Sequence, residues 1–185
     1  MFNNEHIRSE HPKAVPFIVV MGVSGSGKTT VGQLLAKRLN VPFYDADDFH
    51  PPENIAKMSA GFPLNDEDRM PWLDRLHALI RQHIDDASMA VVTCSALKRS
   101  YRERLRGSLD AVQFVYLDGD FDVIWQRMQA REGHYMKAGM LHSQFDTLEP
   151  PSESEAIRVS IALPPEQIVK GVLNRLVWVS AAKKR

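Results

Sequence analysis

Residues Gly22 to Thr29 read Gly-Val-Ser-Gly-Ser-Gly-Lys-Thr, a complete phosphate-binding loop (P-loop), and no other feature restricts the fold so tightly. Such a loop works only between a strand and a helix, because the helix N-terminus supplies much of the attraction for an anion. Both flanks are legible. Phe17–Met21 is a short apolar run of buried-strand type, and Val31, Leu34, Leu35 and Leu39 recur at helical spacing. Glycines let the backbone turn sharply and approach phosphate oxygens closely. Gly22, Val23, Ser24, Gly25, Ser26 and Gly27, with Lys28, Thr29 and Thr30, are therefore the candidate nucleotide-binding residues. Lys28 would reach the β- and γ-phosphates, and the Thr29 hydroxyl would take a place on Mg²⁺. The alternative is a Gly/Ser-rich turn that binds nothing.

The 185 residues suffice for one compact domain with a real core. We expect a disordered extension over 1–14, a single domain over 15–180 and a frayed tail over 181–185. Formal net charge is zero, so no global field recruits nucleic acid or a membrane surface. The lone Cys94 rules out an internal disulfide framework and reads as a small buried thiol at the end of an apolar run. No stretch reaches membrane-spanning length, and the polar first dozen residues resemble no targeting peptide. A cytoplasmic location is expected.

Strands and helices alternate along the chain. Apolar runs at Phe17–Met21, Val41–Asp45, Met89–Cys94, Val112–Leu117 and Ile157–Ile161 predict five strands. Helices are expected after the loop, over Pro51–Ser59, from Pro71, over Lys98–Arg106, from Asp120 to a stop at Gly133, and from Pro164. That order predicts an α/β fold of three layers, a parallel sheet with helices on both faces. Ligands in such folds sit beyond the carboxyl ends of the strands, which draws the P-loop, Asp45–His50, Ser95–Arg102 and Asp118–Asp120 to one crevice. Pro51–Asp68 and Gly133–Pro151 break the alternation, as segments that cover a site or hold a substrate often do.

Asp45 and Asp47, alternating along an extended chain, would point the same way. One could hold Mg²⁺ through water, while the other takes the proton of an attacking hydroxyl. Alternatively, these acids and Asp48 simply cap the next turn. Arg127 and Arg131 share a helix face and suit either a transferring phosphoryl group or plain solvation; Arg127 could instead stack on the adenine. A polar segment around Asn65–Arg69, with His50, fits a polyhydroxylated substrate, and Arg69, Lys98 and Arg102 could pair with its carboxylate.

Several longer blocks go beyond generic chemistry. They are Asp45-x-Asp47-x-x-His50-Pro51, Leu64-Asn65-Asp66-x-Asp68-Arg69-x-Pro71-Trp72-Leu73, Cys94-Ser95-Ala96-Leu97-Lys98-x-x-Tyr101-Arg102, Arg131-x-Gly133-His134 and Gln144-Phe145-x-x-Leu148-Glu149. Together with the P-loop they resemble the gluconate kinases (gluconokinases) over about residues 17 to 178. Shikimate kinases are similar in the loop and paired aspartates alone. The resemblance implies ATP-dependent phosphorylation of D-gluconate at its 6-hydroxyl to 6-phospho-D-gluconate. It also implies a nucleoside-monophosphate-kinase-like fold with a five-stranded parallel sheet, a substrate lobe near 51–70, a lid near 133–150, and a homodimer. On this basis Lys28, Asp47 and Arg131 would be catalytic, and Asp47, His50, Arg69, Lys98, Arg102 and His134 would meet the substrate. Thr29 and Asp45 would serve Mg²⁺, and Arg127 the nucleotide. The pattern departs at Ala46, where glycine is common, and at Thr29, where serine is frequent. A nucleotide switch acting on a partner is the reading from another class; the chain has no Asn-Lys-x-Asp guanine motif.

Overall fold

The computed structural model describes residues 13–14, 16–130, 138–176 and 179–180. Five parallel strands form the sheet: β2 (Phe17–Met21), β3 (Phe43–Asp45), β4 (Ala90–Thr93), β5 (Val112–Asp118) and β6 (Ala156–Ser160), in the order β3-β4-β2-β5-β6. All five residues of β2 are buried, as a central strand covered on both faces requires. Phe17 pairs with Ala90 on one side and Val112 on the other, and Val20 with Thr93 and Val115.

Because side chains alternate along a strand, β2 feeds two cores. Ile18 and Val20 join Val31 and Leu35 of α1 (Lys28–Leu39) and Ile168 and Val172 of α7 (Pro165–Leu173). Phe17, Val19 and Met21 join Trp72, Leu76 and Ile80 of α3 (Asp66–Asp85) and Leu105 of α4 (Arg99–Arg106). Each such aliphatic side chain contributes about 1.5–3 kcal/mol by leaving water. Gly32 lets α1 lie close on the sheet, since a Cβ there would come within 2.8 Å of Thr93 Cγ2 and 2.9 Å of the Phe43 ring. We expect Gly32→Ala to lower the melting temperature. The overpacking cost of about 1–3 kcal/mol outweighs the roughly 1 kcal/mol of helix propensity gained. A raised melting temperature in calorimetry would show that the ring and methyl yield freely.

Helix α3 starts at Asp66, ahead of the start expected at Pro71. Asn65 accepts the Asp68 N–H at 2.8 Å while Asp68 accepts the Asn65 N–H at 2.8 Å, a reciprocal capping box that nucleates the helix earlier. Pro71, still in the helix's early turns, then removes only one backbone hydrogen bond. The stretch expected to break the alternation before Pro151 contains a helix, α6 (Ala138–Thr147), and α5 (Phe121–Gln129) is capped at Ala130. The stop expected at Gly133 lies outside the described residues. Between β3 and α3 lie a 3₁₀ turn at Ala46–Phe49 and α2 (Pro52–Ser59). At the edge of the expected extension, β1 (Lys13–Ala14) pairs antiparallel with β7 (Val179–Ser180). Among the described residues, no helix is long and apolar enough to cross a membrane.

Candidate active site

The loop leaving β2 passes through Gly25 at φ 79 and Gly27 at φ 93, conformations that disfavour any residue with a Cβ. At Gly25 a Cβ would also lie 2.6 Å from Met128 Cγ, so α5 seals the loop from outside. Gly27 is the N-cap of α1 and offers no side-chain oxygen to its free N–H groups, which stay available to an anion. The buried Ser26 hydroxyl has no hydrogen-bond partner among the described residues. Beside the loop lies a cleft of about 440 Å³, walled by Gly25, Gly27, Thr30, Val31, Arg127, Met128 and Ile161–Pro165. Arg127 is fixed in that wall by donating to Ile161 O at 2.8 Å.

Lys28 folds back to donate to Val23 O at 3.0 Å. Burial lowers its pKa, while Cys94, Asp47 and Asp45 act the other way. The Cys94 thiol is buried and pushed up to about 12, chiefly by desolvation, so it stays protonated and is no nucleophile. The positive charges of Lys28 and Arg69 oppose that rise, and the Asp47 charge adds to it.

The chain does not stay extended after β3. Asp45 caps the 3₁₀ turn by accepting the Asp47 N–H at 3.2 Å, which corrects the expectation that the two side chains project in parallel from a strand. The capping role considered for Asp47 and Asp48 thus falls to Asp45. The Asp47 side chain is exposed beside His50. Partial desolvation and then the neighbouring Asp45 hold its carboxyl above the usual range, against the pull of His50 and Lys28. His50 Nε2 stands 3.8 Å from Asp47 Oδ1, with its own side chain only 7% exposed. Its ring stacks on Trp72 at 4.4 Å between centroids, and Trp72 donates to Ala46 O at 2.7 Å. Burial lowers the His50 pKa, which favours a neutral ring.

Helix α3 and the start of α4 bring together a group of charged and aromatic side chains. Arg69 donates to Leu64 O at 3.3 Å and lies over the Tyr101 ring, while its buried Nε has no partner among the described residues. Lys98 and Tyr101 both donate to Asp66, at 2.6 and 2.5 Å. Arg102 is a correction. It is 2% exposed, donates to Glu155 through Nε and an amino group at 2.6 and 3.3 Å, and donates to Ala96 O and Leu97 O at 3.1 Å. A guanidinium so committed cannot also receive a substrate carboxylate. It braces the loop after β4, where Ala96 is held at φ 44. Arg131 and His134 lie outside the described residues.

Two elements were missed. The Ile161–Pro165 turn lines the cleft. The rule that ligands gather beyond strand ends, applied to the last strand too, would have found it. Gln144 of α6 bonds twice to Ser24 of the loop, and no local spacing signals a contact between residues so far apart in sequence. Two histidines on α3 are satisfied: His77 contacts Leu105 O at 3.0 Å and His83 contacts Tyr44 Oη at 3.1 Å.

A family model described as shikimate kinase matches residues 24–170. A gluconokinase from Gluconobacter oxydans (strain 621H) is 49% identical over 85% of this chain and 89% of its own length. A solved gluconokinase from Sinorhizobium meliloti 1021 superposes with a TM-score of 0.76 at 45% identity, covering 88% of this chain and 92% of that one. Shikimate kinase from Aquifex aeolicus vf5 shares the fold at a TM-score of 0.54 and 23% identity, covering 85% of this chain and 93% of its own.

Proposed function

Since the chain belongs to the gluconokinases within the wider shikimate kinase family, we propose that it transfers the γ-phosphoryl group of ATP to the 6-hydroxyl of D-gluconate, giving 6-phospho-D-gluconate and ADP. The observation that carries this is the glycine-capped start of α1 beside the cleft, whose free N–H groups suit a phosphate chain, in a chain 49% identical to a gluconokinase.

In this reading the loop amides and Lys28 hold the β- and γ-phosphates, with the base in the cleft between Arg127 and Ile161–Pro165. Asp47 accepts the proton of the 6-hydroxyl as that oxygen bonds to the γ-phosphorus, and the bond from phosphorus to the β–γ bridging oxygen breaks. His50 keeps Asp47 oriented. Arg69, whose Nε has no partner among the described residues, and Lys98 take the gluconate carboxylate, and the hydroxyls meet the polar lobe over 51–70. Arg131 leads into, and His134 belongs to, the proposed lid over 133–150, which would exclude water that competes for the phosphoryl group.

For Mg²⁺ the donor set fits. Among the described residues there is no cluster of three or more metal-ligating side chains, and a cation that keeps its waters needs only Thr29, Asp45 and phosphate oxygens. When bound, the ion would neutralise charge on the β- and γ-phosphates. We carry over a homodimer from the resemblance and, from composition and charge, a cytoplasmic location with a small-molecule acceptor rather than nucleic acid or membrane as partner; sedimentation and fractionation test these points.

A coupled assay with ATP and a panel of sugar acids tests the activity. Gluconate-dependent ADP release is expected. Shikimate turnover with gluconate inert, or ADP release indifferent to any acceptor, defeats it.

A further inference from the structure

The outer turn of the phosphate loop is gripped by a side chain from a distant helix. Gln144 Oε1 accepts the Ser24 N–H at 2.7 Å, and Gln144 Nε2 donates to Ser24 Oγ at 3.0 Å. Without support this loop is poorly restrained. Gly22, Gly25 and Gly27 all stand at positive φ, where glycine resists neighbouring conformations least. The backbone bonds that hold the turn are long: Ser26 N–H to Val23 O and Gly22 N–H to Ser95 O, both at 3.3 Å. Among the described residues, the hydrogen bonds to Ser24 come from Gln144 alone.

The helix that presents Gln144 is itself well seated. Leu141 is fully buried, and Phe121 of α5 stacks on His142 at 4.0 Å between centroids. Just past α6, Glu149 donates its N–H to Leu97 O at 2.9 Å and accepts the Arg99 N–H at 2.5 Å. One element therefore spans from the phosphate loop to the segment that carries Lys98.

We propose that Gln144 is a positioning residue for the nucleotide. It holds Ser24 so that the loop amides converge before the phosphates arrive, and through α6 and Glu149 it couples that loop to the acceptor side. Ordering done in advance is not charged against binding, so the grip raises affinity for a nucleoside diphosphate or triphosphate. A shared strut also makes nucleotide and acceptor favour one another's binding. The proposal rests on the nucleotide-site reading above, and its coupling arm on gluconate being the acceptor.

Titration calorimetry of the full chain with Mg-ADP, and with gluconate in the presence and absence of Mg-ADP, tests it. Gln144→Ala should weaken ADP roughly tenfold, the loss expected for two neutral hydrogen bonds partly replaced by water. Gluconate affinity without nucleotide should stay as in the wild type, and the enhancement that ADP gives it should disappear. Gln144→Glu keeps both contacts, with the Ser24 hydroxyl turning donor, but brings a negative charge toward the phosphates. It should weaken ADP at least as much, and more at low salt. Ser24→Ala combined with Gln144→Ala should be little worse than Gln144→Ala alone, because the two changes remove one interaction. ADP bound equally well by Gln144→Ala and wild type overturns the proposal. So does a parallel loss of ADP and gluconate affinity with a lowered melting temperature, which marks a packing role only. Wild-type protein that binds no ADP sinks the nucleotide reading itself, before any variant is compared.

Discussion

Replacing Asp47 by Asn lowers kcat by roughly 10²–10⁴-fold, the span that loss of a general base produces. The amide is nearly isosteric and keeps the 3₁₀ turn, whose cap is Asp45. ADP affinity therefore stays within about a factor of two, because the group removed acts in the transition state rather than on the bound nucleotide. Single-turnover kinetics beside equilibrium titration separate the two effects. Unchanged turnover removes Asp47 from the proton-accepting role. The pH profile of the native enzyme carries the same information. Partial desolvation and Asp45 hold the Asp47 carboxyl above the usual carboxylate range. Only the ionised form accepts a proton, so turnover is full above that raised pKa and falls as pH drops through it. The acid limb of kcat should thus lie higher than an ordinary aspartate would place it, and should be absent from whatever activity Asp47→Asn retains.

Arg102→Met is expected to act on stability rather than on substrate recognition. The guanidinium is buried against Glu155, whose side chain is 18% exposed, and satisfies two backbone carbonyls of the loop after β4. Removing one partner of such a pair leaves an uncompensated buried charge, at a cost of about 3–5 kcal/mol. In a chain of this size that lowers the melting temperature by roughly 6–20 °C. The pair also draws the Glu155 carboxyl below its usual range, first through the Arg102 hydrogen bond. Its contribution is therefore present above the unfolded-state pKa and fades as pH falls through the depressed folded value. Adding Glu155→Gln should recover part of the loss, since no charge is then left buried alone. A normal melting temperature with a raised KM for gluconate would restore Arg102 to the acid pocket.

The contrast between these two residues shows how far residue order carries. The role proposed for Asp47 is read from local spacing, paired acids at the end of a strand in a chain that carries a phosphate loop. The sheet was legible because a buried parallel strand must be apolar throughout, as β2 is. Arg102 was not. A basic residue on the first turns of a helix at a crevice reads as a ligand until its partner is known, and Glu155 lies far along the chain. Pro71 misled in the other direction, because a proline suits a first turn, yet the Asn65–Asp68 box begins the helix earlier. Gln144 had no local signature, since its role exists only once α6 is folded against Ser24. Spacing reveals what a segment does by itself; contacts between distant segments need the fold.

The stack of His50 on Trp72 gives the acceptor side a built-in optical reporter. An indole in van der Waals contact with an imidazole emits differently when that ring is protonated, displaced or shielded from water. Sugar-acid docking near Asp47 should therefore register as a change in intrinsic emission at steady state, without any label. Replacing Trp72 by Phe should silence most of that signal, leaving the emission of Trp125 and Trp178 as background.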